Sequence, residues 1–278
     1  MKVTLETDQL AVFDDVLEPA QLASLWLHVQ GLAFHPVNLG APASPWMLSD
    51  GRPMQAPAAM AWIDPDATVE DRAARYPTNT PIDLVLERLI NDHPRFARWV
   101  GPAVAEWSVV TAVPWLYSAG SALSWHTDGA MYSGAYSFYV HPQWDPHWGG
   151  ELVLAHESAR HQRELEVDPR GRPNEDQGQR FHRTRMAELV EDKGIGAYVV
   201  PKPNRLVVIG GGHPHKIARI DKTAGNHVRA SIAGFFVRAR SIETIQRARL
   251  ATPPSSARDH GETIETIASA ERREREPG

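Results

Sequence analysis

The stretch RLVVIGGGHPHKIARI, residues 205–220, joins an apolar run to two histidines. Branched apolar residues followed by three glycines are typical of a buried strand that ends in a tight turn. His213 and His215 come directly after the glycines and lie two positions apart. The segment therefore predicts a core strand whose end presents imidazole groups. The alternative is that both histidines are ordinary polar turn residues.

Further strand signals surround this segment in the second half of the chain. The first half instead carries two amphipathic helix patterns, at 17–29 and at 80–90, the second with Thr80 as its cap. The Pro-, Gly- and Ala-rich residues 38–60 between them indicate a loop. From about residue 105 the hydrophobic period changes to two, and strand-like runs recur at 106–117, 135–141, 151–156, 197–201 and 227–238. Helices followed by many short strands predict an α+β domain with a β-sandwich or barrel core.

The domain boundaries follow from composition. We expect one domain over residues 1–250, with its core at about 105–238, and a polar tail over 251–278. Residues 157–196 are strongly polar and interrupt the series of strands. A loop of this length inside a compact domain is either a functional lid or a disordered insertion, and both readings stay open.

Composition excludes several classes of function. The 278 residues are 42% apolar and carry a net charge of −5, which gives no electrostatic reason to expect nucleic acid or an anionic membrane as a partner. The chain has no cysteine, so disulfides and thiolate chemistry are excluded. No apolar run is long enough for a membrane span, and we see no signal peptide. We therefore expect a cytoplasmic protein.

A second polar motif lies earlier in the chain than the two histidines at 213 and 215, and several predicted strands separate the two motifs. In LSWHTDG, residues 123–129, His126 and Asp128 lie two apart and share a face if the segment is extended. An imidazole and a carboxylate aimed at one point can bind a divalent metal, and His213 or His215 can supply a third ligand. Two histidines and one carboxylate form the facial triad of non-haem iron(II) oxygenases. The alternative for His126 and Asp128 is an exposed strand end.

An arginine in the last strand adds a possible anion site. Arg229 and Ser231, in HVRASIAGFF, share one face of an otherwise apolar strand. A buried arginine needs an anionic partner, and its guanidinium matches a carboxylate bidentately. An internal salt bridge to an acidic side chain is the competing interpretation. His141 and His147 flank PQWDP, which indicates a turn, and we expect surface or supporting roles for them.

Taken in order, the motifs resemble one family. H-x-D, then WGGELVLA, then PNRLVVIGGGHPHKI, then RASIAGFF are similar to the iron(II)- and 2-oxoglutarate-dependent dioxygenases, in the prolyl-4-hydroxylase-like branch. The likeness is strongest over roughly residues 105–238 and extends to VFDDVLEPAQL near the N-terminus. It implies a double-stranded β-helix core of the jelly-roll or cupin-like kind with flanking N-terminal helices.

The resemblance also implies roles for particular residues. His126, Asp128 and a distal histidine would bind Fe(II); the family's distal motif fits His215-Lys216-Ile217 better than His213-Pro214-His215. Arg229 would bind the far carboxylate of 2-oxoglutarate, assisted by Ser231. Tyr117 falls where family members often place a tyrosine near this cosubstrate, although it could equally be a half-buried strand aromatic.

The implied activity is hydroxylation of an unactivated C–H bond by O₂, with 2-oxoglutarate converted to succinate and CO₂. An acidic chain without a nucleic-acid signature favours a small-molecule substrate, such as an amino acid or a natural-product intermediate, while a peptidyl or carrier-bound substrate stays possible. A cupin-like metal-dependent hydrolase or isomerase is the competing enzyme class. A binding module without turnover is a third reading, but it would have no use for all four of His126, Asp128, His215 and Arg229.

Overall fold

The computed structural model describes residues 1–37, 45–63, 74–159 and 190–238. The predicted tail at 251–278 lies outside these residues, and so does most of the predicted lid. The described part contains the helices α1 (Pro19–Gln30), α2 (Asp83–Asn91) and α3 (Ala97–Val100). None of its helices has the length and apolar character needed to cross a bilayer.

Most strands of the described residues belong to one large, mainly antiparallel sheet. Its order is β1 (Lys2–Glu6), β2 (Leu10–Asp14), β12 (Leu206–Gly210), β9 (Tyr132–Tyr139), β14 (Arg229–Val237), β7 (Val109–Tyr117), β4 (Met54–Gln55) and β3 (His35–Pro36). Two further strands extend it beside β7, namely β5 (Ala59–Trp62) and β6 (Ala74–Arg75). The central position of β14 places Arg229 and Ser231 well inside the sheet.

A second, smaller sheet carries the histidine motifs. Its order is β11 (Ile195–Val199), β10 (Leu152–Ala155), β13 (His215–Ile217) and β8 (Leu123–His126), and all of its pairings are antiparallel. Leu152 and Leu154 of this sheet pack against Val207 and Ile209 of the large sheet. The two antiparallel sheets therefore form a jelly-roll-like core.

Strand β12 explains why the opening stretch is apolar throughout. Val207 and Ile209 face the small sheet, whereas Leu206 and Val208 belong to the core on the opposite face of the large sheet. A strand that is buried on both faces has no polar side, so its sequence does not alternate. Burial of each such side chain contributes about 1.5–3 kcal/mol, so this strand anchors the fold.

The helices cover the outer face of the large sheet. Leu25 and Val29 of α1 and Leu89 of α2 are buried in the core that contains Val208. Helix α1 begins as predicted, because Pro19 occupies its first turn and the Glu18 N–H donates to Gln21 Oε1 at 3.0 Å.

Two details of the first half differ from the sequence prediction. Helix α2 begins at Asp83, after Thr80, because the Asp83 carboxylate accepts the N–H groups of Thr78 and Asn79 at 3.0 and 2.9 Å and so fixes the preceding turn. The predicted loop at 38–60 contains β4 and the beginning of β5. These short segments gain order by pairing with β7, which a local composition pattern does not reveal.

Candidate metal and cosubstrate site

Three side chains that are distant in sequence meet at the edge of the small sheet. His126 ends β8 and His215 begins β13, and the two residues are directly paired in the ladder. Asp128 follows β8 immediately. The ligand atoms of His126, Asp128 and His215 all lie within 4.8 Å of one another, and we call these residues the donor cluster. Among the described residues it is the group of histidine and acidic side chains whose geometry could hold a metal ion.

The distances within the donor cluster suit a shared cation. His126 Nε2 lies 3.8 Å from Asp128 Oδ1, and His215 Nε2 lies 3.8 Å from Asp128 Oδ2. These separations are longer than hydrogen bonds, as expected for atoms that ligate one ion rather than each other. Two imidazole nitrogens and one carboxylate match the donor set of a non-haem iron(II) site.

Backbone carbonyls set the orientation of both imidazoles. Nδ1 of His126 lies 2.9 Å from the Ser124 carbonyl oxygen, and Nδ1 of His215 lies 2.9 Å from that of His213. A carbonyl oxygen only accepts, so each Nδ1 carries the proton and each Nε2 presents a lone pair. This tautomer is the one that a metal ligand requires, and such support fixes the ring direction.

The environment of Asp128 favours a bound cation. Burial raises the pKa of this carboxyl above its usual value, and the adjacent His215 opposes the rise. A largely buried carboxylate without a full countercharge is costly, and a divalent ion within the donor cluster would supply that charge. The electrostatics of Asp128 and the geometry of the donor cluster therefore both favour a bound cation.

A buried acid that the sequence analysis missed supports β8. Asp50 accepts the backbone N–H of Ser124 at 3.1 Å and its hydroxyl at 2.8 Å. It also accepts the Met47 N–H at 2.8 Å. Because the Ser124 carbonyl holds the His126 ring, Asp50 acts on the donor cluster through one intermediate residue.

The two histidines of the opening stretch have different surroundings. His215 belongs to the donor cluster, whereas His213 Nδ1 lies 3.4 Å from Gln9 Nε2. Gln9 also donates to the Ala155 carbonyl at 2.7 Å and so links the two sheets. His215 rather than His213 therefore lies with His126 and Asp128.

Arg229 is buried and incompletely paired. Its Nε donates to the Gly150 carbonyl at 2.8 Å, and its Nη2 lies 3.4 Å from the Tyr139 hydroxyl. Within the described residues, Nη1 is buried and has no hydrogen-bond partner. Within the described residues, the hydrogen bonds of this guanidinium thus run to a carbonyl and a phenol rather than to a carboxylate. A buried unpaired donor costs about 1–3 kcal/mol, so an anionic ligand would stabilise this group.

Gly150, in the WGGEL segment, allows Arg229 to lie where it does. Its φ is +75°, and a Cβ at this position would lie 3.0 Å from Arg229 Cδ. A side chain here would strain the backbone and press on the arginine. The glycine pair in that segment is a sequence signal for this close approach.

Tyr117 and Ser231 lie beside Arg229. Tyr117 is directly opposite Arg229 in the β7–β14 ladder, and the guanidinium lies 5.2 Å from its ring centroid. Ser231 is two positions along β14 and shares the Arg229 face. Both residues are buried, and burial raises the pKa of the Tyr117 hydroxyl. Tyr117 is therefore neutral at ordinary pH.

Comparison with solved structures identifies the class of fold. A Trichoplax adhaerens prolyl hydroxylase, solved in complex with a hypoxia inducible factor oxygen degradation domain peptide fragment, is 12% identical, with 89% of each chain covered and a TM-score of 0.51. A Pseudomonas putida prolyl-4-hydroxylase is 15% identical over 83% of this chain and 92% of its own, with a TM-score of 0.46. A Burkholderia pseudomallei oxidoreductase of the 2OG-Fe(II) oxygenase family is 14% identical over 82% and 85%, with a TM-score of 0.48.

These likenesses concern the fold. At such low identity, it is the Trichoplax structure that establishes a shared architecture, and it confirms the sequence-based resemblance at the level of fold. No family model matches the sequence, and no curated protein matches it. The function must therefore be argued from the donor cluster and Arg229.

Proposed function

We propose that this protein is an Fe(II)- and 2-oxoglutarate-dependent oxygenase that hydroxylates an unactivated C–H bond and releases succinate and CO₂. Its domain would span residues 1–250, with a double-stranded β-helix core. The observation that carries the proposal is the combination of the donor cluster with a buried arginine whose Nη1 has no partner within the described residues. Bound iron with 2-oxoglutarate would supply the oxidising chemistry through O₂.

The chain's own residues would have distinct roles. His126 and His215 would ligate the ion through neutral Nε2 atoms, and Asp128 would supply a negative charge. Three ligands leave positions open for a chelating cosubstrate and O₂. Arg229 would bind the distal carboxylate of 2-oxoglutarate, while Ser231 and Tyr117 complete the polar lining beside it. The buried apolar side chains that flank Arg229 in the two core clusters would limit access of water to the bound carboxylate.

The competing enzyme class uses the same metal ligands. A hydrolase or isomerase with zinc would also accept two histidines and one carboxylate. Such an enzyme has no need for a fixed guanidinium with an unpaired donor in the same core. Arg229 therefore favours the oxygenase.

The substrate we propose is a small molecule such as an amino acid or a natural-product intermediate. The net charge of −5 gives no reason to expect a nucleic acid. A peptidyl or carrier-bound substrate is the second candidate, because the Trichoplax enzyme of shared fold was solved with a peptide fragment.

The test is an anaerobic titration. The purified protein should bind Fe(II), and addition of 2-oxoglutarate should produce a metal-to-ligand charge-transfer band. Admission of O₂ should then yield succinate. Metal binding without any such band would contradict the oxygenase and favour the hydrolase. Screening metabolites and peptides for a mass gain of one oxygen would distinguish the two substrate classes.

A further inference from the structure

His141 lies beside Arg229 on the side opposite Tyr117. Ser231 pairs with Tyr139 in the β9–β14 ladder, and the Val140 N–H still donates to the Ala230 carbonyl at 3.0 Å. Continuing this antiparallel register by one more residue places His141 opposite Arg229. We call Tyr117, Arg229 and His141 the arginine row.

The sequence left a surface or a supporting role open for His141, and the structure shows this side chain buried next to a turn. It is 1% exposed, and its Nε2 has no hydrogen-bond partner within the described residues. Arg229 Nη1 is also buried without a hydrogen-bond partner, so His141 Nε2 and Arg229 Nη1 do not bond each other. Two buried polar atoms without partners, on residues that lie opposite each other in the ladder, point to one shared ligand, because native structures pair almost all such atoms.

Ala230 offers His141 Nδ1 both a donor and an acceptor. The Ala230 N–H donates to Nδ1 at 3.3 Å. Nδ1 also lies 3.0 Å from the Ala230 carbonyl oxygen, which accepts the Val140 N–H as well. A backbone N–H inside a sheet needs an acceptor, whereas this carbonyl oxygen has a partner in Val140, so we assign the proton of the neutral imidazole to Nε2.

The imidazole of His141 is uncharged. Burial lowers its pKa to about 3; the positive charge of Arg229 acts in the same direction, and the backbone contact with Ala230 opposes them. At neutral pH, Nε2–H is thus a neutral donor beside a cationic one. The acceptor that suits both is an anion with two oxygens in one plane.

We propose that His141 is a second recognition residue for the cosubstrate, with Nε2–H donating to one oxygen of its distal carboxylate while Arg229 Nη1 donates to the other. This inference rests on the proposed function. It assigns to the arginine row the selection of 2-oxo diacids over 2-oxo monoacids, since a monoacid would leave both donors unpaired.

Calorimetric binding, with Mn(II) in place of Fe(II), tests the inference without turnover. The ligands are 2-oxoglutarate and 2-oxovalerate, which has the same carbon chain but no distal carboxylate. His141→Phe should weaken 2-oxoglutarate binding about tenfold to a hundredfold, the range for a hydrogen bond to a charged group, and leave 2-oxovalerate binding unchanged. His141→Gln should recover most of the affinity, because its amide can donate from the same region. His147→Phe, at an exposed histidine, is the matched control and should change neither.

Each other outcome overturns the inference. If Arg229→Gln weakens 2-oxoglutarate binding but His141→Phe does not, His141 is no recognition residue and the proposed function stands. Equal losses for both ligands, together with a lower melting temperature, would mean that His141 only supports packing. A ¹⁵N spectrum of the wild-type protein showing the proton on Nδ1 would also contradict it. If the metal-loaded wild type binds no 2-oxoglutarate, the proposed function fails as well.

Discussion

The donor cluster and the arginine row are built in different ways. The donor cluster lies at the edge of the small sheet, where β8 and β13 meet, and its side chains are partly accessible. The arginine row crosses the middle of the large sheet, and its members are almost completely buried. An exchangeable metal needs an accessible set of ligands, whereas discrimination between carboxylates needs donors that water cannot satisfy. The difference suggests that metal binding and cosubstrate selectivity can be altered separately.

The largest effect should come from removing an imidazole of the donor cluster. His126→Ala and His215→Ala should each lower metal affinity by more than about a hundredfold, beyond what loss of a supporting residue costs, and abolish turnover. Competition with a metal-binding dye measures the affinity. His213→Ala is the control, because His213 holds the His215 ring through its backbone carbonyl, which alanine retains. A larger loss for His213→Ala than for His215→Ala would show that the ligand assignment is wrong.

A substitution in the arginine row should weaken cosubstrate binding and leave metal binding almost unchanged. Arg229→Gln should weaken 2-oxoglutarate binding on the order of a hundredfold, since it removes a charged and buried partner of the carboxylate. Metal affinity should stay within about threefold, because the hydrogen bonds of Arg229 run to Gly150 and Tyr139 rather than to the metal ligands. Parallel metal and cosubstrate titrations measure the two. Loss of both in equal measure would mean that the two parts of the site are not separable.

The support of the donor cluster by Asp50 predicts a smaller effect. Asp50→Asn weakens the bonds that hold Ser124 and, through it, the His126 ring. Metal affinity should fall about tenfold, at the lower end of the range for residues that support metal ligands. Asp145→Asn, at an exposed residue that accepts the His147 N–H, should leave affinity unchanged. An unaltered affinity for Asp50→Asn would show that the ring needs no such support.

The smallest effect concerns stability rather than the site. Burial raises the pKa of Asp14, but Arg205 and Lys202 outweigh it and lower the value from 3.8 to about 2. A depressed pKa stabilises the folded state above pH 3.8, and the gain is lost as the pH falls towards 2. It corresponds to about 2 kcal/mol. Urea unfolding should show Asp14→Asn less stable by this amount at pH 6 and by roughly half of it at pH 3. A constant difference across this range would contradict the ion-pair origin.

Sequence patterns singled out the three residues of the donor cluster, but they did not single out Asp50 or the buried position of His141. The spacing of two between His126 and Asp128, and the strand before His215, are local features that survive folding unchanged. Asp50 and His141 depend on tertiary register, because each is defined by a strand that lies far away in the sequence. The strands β4 and β5 escaped prediction for the same reason: their order comes from pairing with β7.

The direct pairing of His126 with His215 has a consequence for when a metal ion could bind to the donor cluster. A chain still emerging from the ribosome carries the first histidine and the aspartate long before the second histidine has been synthesised. Those two donors alone hold a metal weakly, and full capture waits until β13 has aligned with β8. Under the proposed function, metal loading would thus be coupled to completion of the small sheet.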